Sequence, residues 1–273
     1  MKPLALLGAH RQAASSMSLA YPERRFAFLS DQAIVDGWDL PNVEIRFSEP
    51  GPDSATATAQ EAVTLCPRWL GAEALERWSI SSVFQRLEAN GFRHLLPVRS
   101  EAGAKGVWQV KGDRFHRPDA PEWGEARALS DIGDPHGCGL VFQPRLQVTA
   151  HHQVVGRRTA RGTALGVMWV HAERFFRDDV IQAAQTVRNP FIEEGSLSAL
   201  EVLGYEGFFT FNWIDTPQGA LLSSFRPVPR AGLRTLREHG ADLLLDPAGT
   251  AIAGAGGCFV AQPHYASYTR LEP

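Results

Sequence analysis

The stretch Gly207-Phe-Phe-Thr-Phe-Asn-Trp-Ile214 is followed by Asp215-Thr-Pro-Gln-Gly219 and then by Ala220-Leu-Leu-Ser-Ser-Phe-Arg226-Pro227. Phe208 to Ile214 and Ala220 to Phe225 are rich in aromatic and apolar residues and read as two strands. The five residues between them open with Asp and contain Pro and Gly, the residue types a tight connection uses. The two strands are therefore expected to pair as antiparallel neighbours. Asn212 and Ser224 then stand on adjacent strands, where they can satisfy each other.

Upstream, Val107 to Lys111 alternates like a strand, and Leu140 to Gln143, Gln153 to Arg157 and Ala164 to His171 read as three more. Asp178 to Val187 reads as a helix. Ser196 to Leu203 reads as a second helix that opens on a Ser cap, and Leu233 to His239 as a late one that ends at Gly240. In the first hundred residues the apolar runs Leu4 to Gly8, Phe26 to Leu29 and Val43 to Phe47 suggest strands of a small α/β layer. Ser48 to Ser54 reads as a loop, and Thr56 to Leu65 as a helix stopped at Cys66-Pro67. Between Ser79 and Asn90, Ile80, Val83, Phe84 and Leu87 recur at helical spacing, with Ser79 to cap the start and Gly91 to end it. The polar stretch Ser100 to Lys105 is the expected boundary, giving a small α/β region over 1–100 and a second region over 101–273.

The chain has 273 residues, 44% hydrophobic and 21% charged, which is globular composition. Its 27 Lys and Arg against 30 Asp and Glu leave a net charge of −3, without the basic excess that marks a nucleic-acid partner. The longest apolar runs are far shorter than a membrane span. The start, broken by Gly8, His10 and Arg11, does not read as a signal peptide. Three widely spaced cysteines, Cys66, Cys138 and Cys258, form neither a disulfide framework nor a zinc site. The expectation is a cytoplasmic protein with reduced thiols. The sequence does not fix oligomeric state and is compatible with a homodimer.

Several sites of chemistry are absent as motifs: no dinucleotide-binding glycine fingerprint, no phosphate-binding Gly-x4-Gly-Lys loop and no nucleophile elbow occur. Gly254 to Gly257 reads as a turn. His151 and His152 are adjacent, so a strand would send them to opposite faces, away from any shared metal. His171 and Glu173 share a face but lack a third ligand. Trp169 and Trp213 read as core.

The order of these elements resembles the ATP-grasp superfamily over roughly residues 75 to 235. In that family a helix precedes a strand that ends in a nucleotide-binding Lys; here Ser79 to Asn90 precedes Val107-Trp-Gln-Val-Lys111. Next comes a strand whose backbone reads adenine, here Leu140-Val-Phe142-Gln143-Pro144. Last come Gly-x-x-x-Val-Asp-Phe-Ile, a turn, and a strand ending Glu-x-Asn-Pro-Arg, to which residues 207–227 correspond in spacing. The resemblance implies an α+β fold, ATP-grasp-like antiparallel sheets with helices, preceded by a small truncated α/β layer. It implies ATP and Mg²⁺ as cofactors, with Lys111, Gln143 and Phe142 at the nucleotide and Asn212 and Ser224 at the metal positions. Acidic help at the metal would come from Glu193 or Glu194. The family has carboxylates where this chain has Asn212 and Ser224, and an Asn where it has Arg226. Its glycine-rich phosphate loop is replaced by Gly112-Asp-Arg-Phe-His-Arg-Pro-Asp119.

The implied activity is an ATP-dependent carboxylate–amine ligase of cofactor or small-peptide type, working through an acyl phosphate on a small anionic substrate. Arg226 and Arg114 would be its catalytic cations, with Arg157 as a further clamp. The alternative is a degenerate, non-catalytic ATP-grasp fold that binds a ligand or a partner. A third reading is an unrelated α+β protein whose spacing coincides. Each residue also has a plain role: Lys111 as a solvated edge charge, Asn212 and Ser224 as mutual partners, Arg226 as a carboxylate's partner, and 113–117 as a polar loop.

Overall fold

The computed structural model describes residues 4–7, 11–30, 40–47, 62–64, 72–78, 80–92, 109–111, 114–116, 147–176, 179–229, 232–244, 247–262 and 265–271. The backbone divides into two compact units, one of Met1–Leu95 with Leu146–Pro273 and one of Leu96–Arg145.

The first unit begins with β1 (Leu4–Leu7), α1 (Arg11–Ala20), β2 (Phe26–Ser30), β3 (Val43–Phe47) and β4 (Ala62–Thr64). These strands form a parallel sheet in the order β3-β2-β1-β4. The expected α/β layer is present. Ala62–Thr64 is strand, not the helix expected over Thr56 to Leu65, because it completes the β1 edge; the rest of that stretch lies outside the described residues. α2 (Ala72–Arg77) and α3 (Ile80–Ala89) follow, and α3 buries Val83, Phe84 and Leu87 as its spacing predicts. Ser79 lies outside the described residues.

In the second unit, β5 (Gln109–Lys111) and β6 (Arg114–His116) form an antiparallel hairpin with Lys111 opposite Arg114. Leu140 to Gln143 lies outside the described residues.

The first unit resumes with β7 (Ala150–Thr159), β8 (Gly162–Phe176), β9 (Asp179–Val187), α4 (Pro190–Leu203), β10 (Gly207–Thr216), β11 (Gly219–Arg226), α5 (Leu233–Glu238), β12 (Gly249–Ile252), β13 (Gly256–Gln262) and β14 (Tyr265–Leu271). The large sheet runs β11-β10-β7-β8-β9-β13-β14, with β12 parallel to the start of β8. β10 and β11 are paired antiparallel neighbours, as residues 207–227 predict. The helix expected over Asp178 to Val187 is a strand. Val180, Ile181, Thr186 and Val187 are β-branched and stiff at χ1, and β8 and β13 pair with both edges. Trp169 is 41% exposed rather than core, whereas Trp213 is buried.

Opposite faces of this sheet are covered by different helices. Val154, Val167, Phe209, Phe211 and Trp213 pack with Ile192, Ala199 and Leu200 of α4 and with α3. The other face carries Val155, Ala164, Met168 and Phe208, which cluster with Leu233 and Leu236 of α5 and with Ala14 and Met17 of α1. A Cβ on Gly166 would lie 2.2 Å from Leu236 Cδ2, so α5 lies this close only because position 166 has no side chain. Tyr21 ties the N-terminal layer to the C-terminal segment. Its hydroxyl donates to Asp242 Oδ1 at 2.9 Å and accepts from the Leu243 and Leu244 amides.

α4 begins six residues before the predicted Ser196. Asn189 is its N-cap, accepting from the Ile192 amide, and Pro190 takes the first turn, where its missing N–H costs nothing. Ser196 is instead buried mid-helix, where its Oγ accepts from Trp213 Nε1 at 3.0 Å. Glu193, also buried, accepts from Arg188 Nε at 2.8 Å, Arg188 Nη2 at 2.9 Å and the Asn189 amide at 2.9 Å. The Arg188 guanidinium holds its carboxyl below the usual 4.5. A carboxyl depressed in the folded state adds stability above the unfolded value and loses it as pH falls through the folded one. Glu193→Gln is therefore expected to lower the urea midpoint at pH 7, with the gap from wild type closing as pH drops below 4.5. A gap constant from pH 7 to pH 3 would contradict this.

Candidate functional site

The register of the large sheet aligns one residue from each of five strands. Ser224 of β11 lies opposite Asn212 of β10, Asn212 opposite Gln153 of β7, Gln153 opposite Met168 of β8, and Met168 opposite Thr186 of β9. Directly opposed residues of antiparallel strands share a face, so all five lie on the side that carries α5. Along β7, Val155 and Arg157 continue this face toward the apolar cluster. Arg157 donates to the Leu243 and Leu244 carbonyls, 3.3 and 3.1 Å away, and stands over the Phe208 ring. Its guanidinium fastens the C-terminal segment.

The polar members of the row are chained. Gln153 Nε2 donates to Asn212 Oδ1 at 3.0 Å, and Asn212 Nδ2 donates to Ser224 Oγ at 2.5 Å. Ser223 Oγ donates to the Asn212 carbonyl at 3.0 Å, where β10 and β11 shift register. Thr210, two residues from Asn212 on the same face, donates to the Val228 carbonyl at 2.8 Å. Two buried polar atoms of the row have no hydrogen-bond partner among the described residues: Gln153 Oε1 and Thr186 Oγ1, on residues 2% and 1% exposed.

The reverse face holds His152 and Asp215. His152, opposite Trp213 on one side and Trp169 on the other, places Nδ1 3.5 Å from Asp215 Oδ2, without hydrogen-bond alignment. Burial pushes its pKa down from 6.5 and the Asp215 charge opposes that. His151 points to the other face and is exposed, the separation expected of neighbours in a strand. Glu193 of α4, the helix that packs on this reverse face, is engaged by Arg188, away from Asn212.

The expected site residues divide accordingly. Asn212 and Ser224 are brought together. Arg226 ends β11 opposite Thr210 and is exposed. Lys111 and Arg114 face each other across the β5–β6 ladder in the other unit. Phe142 and Gln143 lie outside the described residues. Gln153 and Thr186 escape a reading of the sequence: the first sits in an ordinary alternating strand, the second in a segment with helical character. Gln153 becomes visible only once the β7–β10 register is known.

The donor set at positions 212 and 224 does not fit Mg²⁺. That ion takes hard oxygen ligands, and it is usually held through carboxylates. The only side-chain oxygen of Asn212 already accepts from Gln153, and Ser224 Oγ accepts from Asn212. Among the described residues no group of three His, Cys, Asp or Glu could hold a metal ion.

No protein-family model and no curated sequence matches the chain. Solved structures do. N5-carboxyaminoimidazole ribonucleotide synthetase from Thermus thermophilus superposes with a TM-score of 0.56 at 16% identity, over 94% of this chain and 82% of that one. Phosphoribosylglycinamide synthetase from Anaerococcus prevotii gives 0.53 at 11%, over 95% and 80%. L-amino acid ligase from Bacillus licheniformis gives 0.50 at 11%, over 84% and 67%. At these identities the likeness is one of fold.

Calorimetry should find no saturable Mg²⁺ binding to the nucleotide-free protein below about 1 mM, the weak end of the range for oxygen-ligand sites. Tight binding that Asn212→Ala abolishes would contradict the geometry. The pair Asn212→Asp with Ser224→Glu, which restores two carboxylates, should gain measurable affinity.

Proposed function

The fold is the ATP-grasp fold, and on it we propose that the chain is an ATP-dependent ligase joining a carboxylate to an amine. The observation that carries this reading is the superposition over 94% of the chain, N-terminal layer included, on synthetases. In the proposed reaction a substrate carboxylate oxygen attacks the γ-phosphorus and ADP leaves, giving an acyl phosphate. The amine nitrogen then attacks the acyl carbon, phosphate leaves with the C–O electrons, and the amine's proton passes to solvent. This chemistry needs positioning and charge neutralisation more than a protein nucleophile. The resemblance proposes Lys111 for the nucleotide phosphates, Gln143 and Phe142 for adenine, and Arg114 and Arg226 for the anionic substrate. No step is assigned to a metal, because the row at 212 and 224 does not suit one.

The hydrogen-bonded, uncharged row favours a second reading: an ATP-grasp fold that binds a ligand or partner without turning ATP over. Asn212 and Ser224 spend their hydrogen bonds on each other and on Gln153.

Arg226 separates the two. A guanidinium stays protonated and cannot ligate a cation, but it binds an anion as a planar fork. In a ligase, Arg226→Ala should weaken ADP or substrate-anion binding about tenfold or more, the scale of a hydrogen bond to a charged group. Arg226→Lys should recover part of it. Calorimetry with ATP and ADP, with and without Mg²⁺, together with phosphate release on pooled carboxylates and amines, checks both readings. Equal affinity in all three proteins would remove the anion role of Arg226. ADP binding without phosphate release on any pool would favour the second reading.

A further inference from the structure

The row across the large sheet ends in an unmatched amide. Reading from β11, Ser224, Asn212 and Gln153 are joined by two hydrogen bonds, and the chain then stops at Gln153 Oε1. As assigned, the unmatched end of the Gln153 amide is its oxygen; turning both amides over keeps the Gln153–Asn212 and Asn212–Ser224 bonds and presents Nε2 there instead. Thr186 Oγ1 also has no hydrogen-bond partner among the described residues and sits on the same face, two strands away, about 10 Å at the backbone. Only Met168 stands between them in the row, an unbranched side chain with three torsions that can reshape its surroundings.

The chemistry of these atoms selects their ligand. The five residues of the row carry no charge, and Arg226, whose guanidinium is on their face, lies at the β11 end, two strands from Gln153. A cation or a carboxylate entering beside Gln153 and Thr186 would therefore lose hydration without gaining a counter-charge there. A group with one acceptor and one donor side by side matches an amide end in either orientation, and a threonine hydroxyl can donate or accept as required. We propose that Gln153 and Thr186 form a binding site for an uncharged carboxamide group of a ligand, oriented by the Asn212–Ser224 pair behind Gln153. The row includes the two positions that the resemblance gives to the metal, and the test reads ligand binding without ATP, so its failure is distinguishable from failure of the ligase reading.

The probe is acetamide, with acetate and Mn²⁺ as controls, read on the side-chain NH₂ resonances of the ¹⁵N-labelled full chain. Gln153→Leu identifies the Gln153 pair of signals. Acetamide is expected to shift that pair saturably, and acetate is not. Mn²⁺ is expected to leave the Gln153 and Asn212 pairs unbroadened. Thr186→Val should weaken acetamide binding about fivefold, the scale of one neutral hydrogen bond. If Gln153→Leu fails to fold, Asn212→Asp identifies the remaining amide of the row and Thr186→Val carries the affinity test. Gln153 signals indifferent to acetamide would mean that the row holds water alone and would overturn the proposal. Equal shifts with acetate, paramagnetic broadening by Mn²⁺, or unchanged affinity in Thr186→Val would overturn it as well.

Discussion

Strand β10 is hydrogen-bonded along both edges, to β7 and to β11, and its register fixes which of its residues face which layer. A slip of one residue against either neighbour would exchange its two faces. Phe209, Phe211 and Trp213 would then leave α4, and Asn212 would enter an apolar cluster. Burying one large apolar side chain is worth roughly 1.5–3 kcal/mol, so three aromatics hold the register far more firmly than the row's hydrogen bonds could. Phe209 packs on Phe211 at 5.5 Å between ring centres, and Phe211 on Phe225 of β11 at 5.1 Å. The polar row thus inherits its alignment from the aromatic face behind it. The Ser196 hydroxyl adds a directional bond to Trp213 that pins α4 over the same strand.

The carboxylates of Glu193 and Asp215 lie on the α4 side, each beside a basic group: Arg188 for the first and His152 for the second. The opposite face meets the row with amides, hydroxyls and a thioether. A carboxylate at 212 would need a cation or several donors to offset its desolvation. Asn keeps the shape and one acceptor without that demand, and the acceptor is then satisfied by Gln153. The side chain that best matches the expected metal position is the one whose oxygen is already engaged.

Much of this was legible in the residues. The β10–β11 hairpin followed from its aromatic run and its Asp-Thr-Pro-Gln-Gly joint, and α3 from the spacing of Val83, Phe84 and Leu87. The mutual bonding of Asn212 and Ser224 followed from their places on paired strands. Other features were decided by tertiary pairing that no local window contains. Residues 179–187 hold Gln and Ala, which suit a helix, yet lie between β8 and β13, where two ladders outweigh a weak local preference. Trp169 looked like core by residue type, but its face of β8 is left partly open. The role of Ser196 was misread because Asn189 and Pro190 supply a stronger helix start six residues earlier. Gln153 carried no local signal, since its partner is 59 residues away.

The row is a cost to the fold rather than a support. A buried acceptor left without a donor costs about 1–3 kcal/mol, and a partly satisfied polar network in a core is less stable than an apolar one of the same shape. Two such atoms lie within one register row, on residues almost wholly removed from solvent. Valine at 186 would remove that cost at its position with little change in volume, whereas leucine at 153 would leave Asn212 Oδ1 without its donor, so the polar choice at 186 has to be accounted for by something other than packing. The aromatic face supplies the stability that lets it persist, because the same strand that carries Asn212 inward on one side carries Phe211 and Trp213 on the other. Strained or under-satisfied groups of this kind tend to mark sites of function, where local rules are broken at the expense of stability supplied elsewhere. In this sheet the two sides of β10 divide those tasks, with stability assigned to the α4 face and ligand recognition to the row.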